Sequence, residues 1–186
     1  SSGRPPRQLV VILHGYGADG QDLIDLGHAW AATLPDAVFV APDAPEPLPY
    51  EAFGGRQWFA LNDRDLLREY RIGAEAAAPC LGRFLDAELG TYGLTEESLA
   101  LVGFSQGAMM ALQVGLHRQK PPAALIGYSG ALPGIGHLDT IQVSSPVLLV
   151  HGRDDDVVDP GHAHAAQKAL RDANVCVETH LLDDLG

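Results

Sequence analysis

Apolar residues fall in short unbroken runs separated by helix-spaced segments. Leu9-Val10-Val11-Ile12-Leu13 ends at His14-Gly15. Its continuous apolar character predicts a strand buried on both faces of a parallel sheet. Ala37-Val38-Phe39-Val40-Ala41, Leu99-Ala100-Leu101-Val102, Ala123 to Tyr128 and Pro146 to Val150 repeat the pattern and predict further buried strands. Val175, Val177, Thr179 and Leu181 alternate and predict a last strand over 175–182. Between the runs, Leu23, Leu26, Trp30 and Leu34 recur at helical spacing until Pro35-Asp36. A second helical region covers about residues 66–90, with Cys80, Leu81, Phe84, Leu85 and Leu89 on one face. Pro79 either kinks it or starts another helix, and Gly90 and Gly93 end it. Ala108 to Val114 predicts one more helix, as do Ala163, Ala166, Leu170 and Ala173. Strands alternating with helices make this an α/β protein with a mostly parallel, twisted sheet and helices on both faces.

Residues 42–65 break the pattern. Pro42, Pro45, Pro47 and Pro49 exclude regular structure, Gly54-Gly55 follows, and then Trp58-Phe59-Ala60-Leu61. A long irregular loop with aromatic content is expected to be functional. Phe53, Trp58 and Phe59 are candidates for a substrate pocket wall. Trp58 and Phe59 serve equally well as pins holding the loop to the core.

The chemistry concentrates where strands end. Gly103-Phe104-Ser105-Gln106-Gly107 sits between an apolar run and a helical run, the setting in which G-x-S-x-G forms a nucleophile elbow. Ser105 is then the nucleophile and the Gln106 amide faces a developing oxyanion. The alternative is a plain strand-to-helix turn with a capping serine. His14-Gly15-Tyr16-Gly17 follows the first strand and is placed to provide a second oxyanion donor. His151-Gly152 leads into Asp154-Asp155-Asp156, a source for the carboxylate that orients a base, in the order Ser before Asp. In a parallel sheet all three turns share one rim. His14 and His151 themselves are expected to brace their turns.

These motifs resemble the phospholipase/carboxylesterase family of serine hydrolases, which includes the acyl-protein thioesterases. Ala41-Pro42-Asp43-Ala44-Pro45 and Trp58-Phe59 are similar to that family's early loop. The resemblance runs from about residue 8 to the end and implies an α/β-hydrolase fold in one domain over residues 1–186. It makes Ser105 the nucleophile and Asp155 the triad acid, with Asp154 and Asp156 as alternatives. Tyr16 and Gln106 become the oxyanion donors. It implies an enzyme acting on short- to medium-chain esters, lysophospholipids or acyl thioesters through an acyl-enzyme, and leaves a homodimer open; a cytoplasmic location and no cofactor are expected.

The family's base is a histidine in the turn after the last strand, and the sequence stops at that turn, at Gly186. That histidine is expected as the next residue, with the family's closing helix beyond it. The chain also begins at Ser1 without a methionine, as a trimmed form would. His162, His164 and His180 fit surface positions better than a base. A binding protein built on the same fold, or a serine hydrolase acting on peptides or lactones, is the other reading. A serine at the elbow disfavours the cysteine and aspartate chemistries of related hydrolases.

Composition narrows the partners. A formal net charge of −12 opposes binding to nucleic acid or anionic membranes. No apolar run reaches membrane-spanning length. Cys80 and Cys176 fall in no metal or redox spacing and are expected as free thiols in a reducing compartment. His162, His164 and the aspartates form no convincing metal site, so none is expected.

Overall fold

Among the described residues six strands form one sheet in the order β2-β1-β5-β6-β7-β8, every neighbouring pair parallel. They are β1 (Gln8–Leu13), β2 (Ala37–Val40), β5 (Leu99–Phe104), β6 (Ala124–Tyr128), β7 (Val147–Gly152) and β8 (Val177–Leu182). The helices are α1 (Gly20–Trp30), α2 (Leu66–Tyr92), α3 (Gln106–Leu116) and α4 (Gly161–Asp172). This computed structural model describes residues 5–48, 54–62, 66–141, 145–183 and 185. The α/β architecture expected from the apolar runs is therefore present.

The core explains the runs. Leu9, Val11 and Leu13 of β1, with Leu99 and Leu101 of β5, face a layer built by α2, α3 and α4. Val10, Ile12 and Val102 point the other way, toward Leu23 and Trp30 of α1. β1 and β5 are central and apolar on both faces, as parallel strands covered from both sides must be. On the α1 side the cover is incomplete. Ile126 and Tyr128 of β6, and Leu148 and Val150 beside them on β7, are only half-buried.

Four expectations need correction. β2 is an edge strand and is half-buried along its length, not a buried one. In α1 the buried residues are Gly20 and Gly27, while Leu26 is exposed and Leu34 lies beyond the helix end, also exposed. The helix starts at a capping box, in which Asp19 accepts from the Gln21 and Asp22 amides and the Asp22 carboxylate accepts from the Asp19 amide. α2 runs unbroken through Pro79 to Tyr92 and buries Tyr70, Ala74, Ala77, Leu81, Leu85 and Leu89, whereas Cys80 is exposed. Pro79 is tolerated because it lies on the exposed side, where water can satisfy the carbonyl one turn back. Finally, the irregular loop contains a two-stranded antiparallel ladder, β3 (Glu46–Pro47) with β4 (Arg56–Gln57). Phe53 lies outside the described residues.

Cys80 and Cys176 are both free and exposed. Among the described residues no helix is long and apolar enough to cross a membrane.

Candidate active site

Ser105 stands between β5 and α3 with φ 52° and ψ −117°, a backbone state that L residues rarely adopt. It is the N-cap of α3, yet its side chain makes no capping hydrogen bond. The capping explanation for this serine therefore fails. Its amide donates to the Tyr128 carbonyl at 2.8 Å, and its own carbonyl receives the Ala108 and Met109 amides. The turn is tight enough to exclude side chains on either side. A Cβ on Gly103 would lie 2.2 Å from the Gly107 carbonyl oxygen, and one on Gly107 would lie 2.1 Å from the Leu13 carbonyl oxygen. Both obstacles are backbone, which cannot swing away. Gly107→Ala is expected to destabilise the fold by about 3 kcal/mol, read as a lower urea midpoint. An unchanged midpoint would contradict this packing.

The turn after β1 lies directly against the elbow. A Cβ on Gly15 would be 3.3 Å from the Ser105 Cβ and 3.1 Å from the Phe104 ring. His14 is fully buried. The Ala44 amide donates to its Nε2 at 2.9 Å, which leaves the ring proton on Nδ1 to donate to the Gly15 carbonyl at 2.7 Å. Both ring nitrogens are used, and His14 braces the turn as expected. Tyr16, the next residue but one, exposes its side chain.

On the other flank, the Ser129 amide donates to the Val150 carbonyl at 2.9 Å, which brings the end of β6 to the end of β7. The Ser129 hydroxyl donates to Asp155. Asp155 Oδ1 accepts from the Val157 amide at 3.0 Å and the Val158 amide at 2.9 Å. Its Oδ2 lies 3.2 Å from His151 Nε2, which also donates to the Val158 carbonyl at 2.8 Å. Asp154 and Asp156 are exposed, whereas the Asp155 side chain is only 9% exposed. The chain Ser105, Tyr128, Ser129, Asp155 thus joins the elbow to this one carboxylate of the acidic run.

Burial pushes the Asp155 carboxyl up, but the Val158 and Val157 amides, the Ser129 hydroxyl and His151 together outweigh it and hold it below the ordinary aspartate value. A carboxyl depressed in the folded state adds stability that is present above its unfolded value of about 3.9 and is lost as pH falls through its folded value. Urea midpoints followed between about pH 6 and pH 2 should fall more steeply for the native protein than for Asp155→Asn. Parallel curves would contradict the assigned contacts.

Trp58 and Phe59 are both buried and belong to the main core cluster. The Phe59 ring lies against Gly73 of α2. The two also line one wall of a groove of about 590 Å³ whose other wall is the Ile72–Ala77 stretch of α2. Ser105 is not among the groove's described lining residues. The other histidines sit elsewhere. His162 meets the Tyr70 ring at the start of α4, His164 is exposed, and His180 Nε2 pairs with Glu178 at 2.6 Å. Among the described residues no cluster of three metal-ligating side chains exists.

Sequence reasoning missed Ser129 and the Gln106 carboxamide. Gln106 is 1% exposed, and its side chain reaches back to the Trp58-Phe59 backbone. A polar residue beginning a helix that is otherwise almost wholly buried was the available signal.

The phospholipase/carboxylesterase family model matches residues 1–186. The chain belongs to the phospholipase/carboxylesterase family. It is 30% identical over 187 residues to esterase YpfH of Escherichia coli K12, covering all of this chain and 78% of that protein. It is also 30% identical over 169 residues to acyl-protein thioesterase 1 of Schizosaccharomyces pombe, covering 87% of this chain and 74% of the other. The crystal structure of esterase PE8 superposes with a TM-score of 0.93 at 42% identity, over 97% of this chain and 85% of that one. Arabidopsis thaliana SOBER1 shares the fold, with a TM-score of 0.79 at 24% identity over 97% and 90% of the two chains. As a member of the phospholipase/carboxylesterase family, the protein is a carboxylic ester hydrolase on the α/β-hydrolase fold.

Proposed function

We propose that the protein is a serine carboxylesterase working through a Ser-His-Asp triad and an acyl-enzyme, with Ser105 as nucleophile and Asp155 as acid. The observation that carries this reading is the strained, uncapped Ser105 joined through Tyr128 and Ser129 to the half-buried Asp155 carboxylate. The base is the histidine that the family resemblance implies for the turn after β8. The Arg153 amide donates to the Leu182 carbonyl at 2.9 Å and the Asp154 amide to the Leu185 carbonyl at 3.2 Å. Those bonds lay the chain leaving β8 along the Asp155 loop, which favours delivery of a histidine to that carboxylate.

In the first step the histidine takes the Ser105 Oγ proton while Oγ attacks the ester carbonyl carbon. The resulting oxyanion lies between the Tyr16 and Gln106 amides. The imidazolium, steadied by Asp155, returns the proton to the departing alcohol or thiol as the carbonyl bond to it breaks. Water then repeats the sequence on the acyl-enzyme and regenerates the Ser105 hydroxyl.

Short- to medium-chain esters, aryl esters, lysophospholipids and acyl thioesters are the proposed substrates. Tyr16, Phe104 and Val157 expose apolar surface beside the nucleophile and the acid, which favours an apolar acyl or aryl group over a charged one. The Trp58-Phe59 segment is the proposed pocket wall. Two exposed thiols, both unpaired, support a reducing, cytoplasmic setting. The test is hydrolysis of p-nitrophenyl acetate, butyrate, octanoate and palmitate by the full-length protein. Turnover should peak among the first three and drop for palmitate. No turnover of any ester would sink the reading and leave a non-catalytic binding protein.

A further inference from the structure

We propose that the Gln106 carboxamide and the Arg56–Phe59 segment form a clamp that sets the spacing of the two oxyanion amides, making Gln106 a positioning residue through its side chain as well as a donor through its backbone. The proposal rests on the acyl-transfer reading above.

The two amides come from turns after different strands, β1 and β5, and an oxyanion hole works only when its donors are preorganised to within a few tenths of an ångström. The Arg56–Phe59 segment touches both turns. At one end it is laced to the loop that carries Tyr16, where the Gly17 amide donates to the Arg56 carbonyl at 2.8 Å and the Arg56 amide to the Ala18 carbonyl at 3.0 Å. In the middle, Trp58 Nε1 donates to the His14 carbonyl at 2.9 Å, and the two rings stack tilted with centroids 5.6 Å apart. At the far end it grips the elbow helix, where the Trp58 amide donates to Gln106 Oε1 at 2.8 Å and Gln106 Nε2 donates to the Phe59 carbonyl at 2.7 Å. Both polar ends of a buried side chain are thus committed to one dipeptide 48 and 47 residues away in sequence. The groove beside α2 lies behind the same two residues, so Trp58 and Phe59 have the groove on one side and the elbow on the other.

A clamp of this kind acts on the transition state and leaves ground-state binding nearly untouched. Displacing a donor by a fraction of an ångström weakens contact with the developing oxyanion, while the neutral ester carbonyl asks little of it. Loss of the carboxamide also leaves the Trp58 N–H and Phe59 carbonyl buried without partners, so stability falls as well. Stability alone therefore cannot test the idea.

The decisive experiment uses full-length Gln106→Met and Trp58→Phe, each checked for native circular dichroism. Kinetics on p-nitrophenyl butyrate and the ¹H–¹⁵N resonances of the Tyr16 and Gln106 amides are the readouts. For Gln106→Met, kcat should fall roughly 10²-fold, with KM held within about twofold. The Tyr16 amide resonance should move although Tyr16 is far away in sequence. Trp58→Phe should move the Gln106 amide and lower kcat in the same sense. A folded Gln106→Met with an unmoved Tyr16 amide, or with KM rising as much as kcat falls, overturns the clamp. If Gln106→Met does not fold, Trp58→Phe decides the matter by the Gln106 amide and the same kinetic split. A wild type without turnover would instead sink the acyl-transfer reading, and the amide shifts would still decide whether the clamp exists.

Discussion

Replacing Ser105 with alanine is expected to lower kcat for p-nitrophenyl butyrate by about 10⁶-fold, to the level left by binding and the oxyanion donors alone. The effect is large because every later step runs through one oxygen. No acyl-enzyme forms without Oγ, and a water in its place must be positioned from solution. The fold should survive. The Ser105 side chain makes no capping bond, and its backbone bonds to Tyr128, Ala108 and Met109 remain available to alanine. The measurement is steady-state hydrolysis alongside a urea midpoint. Loss of activity with a midpoint close to that of the wild type assigns the loss to chemistry. A variant retaining a tenth of the activity would mean that another residue is the nucleophile.

Asp155→Asn is expected to lower kcat by about 10⁴-fold, whereas Asp154→Asn and Asp156→Asn should leave it within about twofold. Asparagine keeps an oxygen for the Val157 and Val158 amides but turns an N–H toward His151 Nε2, which is itself a donor to the Val158 carbonyl. The charge that steadies an imidazolium is also gone. The neighbours differ because they are exposed, while Asp155 is held by Val157, Val158, His151 and Ser129. Equal losses at Asp154 or Asp156 would move the acid along the loop. The three aspartates thus make an internal control, since they are adjacent in sequence and differ only in what they touch.

Much of this was legible before the fold was known, and the reason is physical. β1, β5 and β7 are central strands, so their apolar runs are unbroken and each stops where the chain turns at the rim. The elbow was legible because its two glycines are dictated by backbone oxygens 2.1–2.2 Å from any Cβ. His14 and His151 were recognisable as braces because a histidine ending a buried strand must satisfy both its ring nitrogens nearby. Edges and faces were harder to read. The run in β2 is as apolar as that in β1, yet it lies at the sheet edge, and position in the sheet is a tertiary property. α1 shows leucines at helical spacing, but Gly20 and Gly27 are the residues it buries. The partners of Ser129 and of the Gln106 carboxamide are distant in sequence and polar, so no periodicity marks them, although a polar residue opening the apolar α3 was a signal for Gln106. They emerge only when the Trp58-Phe59 loop and the Asp155 loop are laid against the elbow.

The most direct test of the central claim is peptide mass spectrometry after treating the native full-length protein with a fluorophosphonate, a reagent that phosphonylates only an activated serine. A single adduct on Ser105 is expected, absent after heat denaturation and absent in Ser105→Ala. An unlabelled native protein, or an adduct on any other residue, would contradict it.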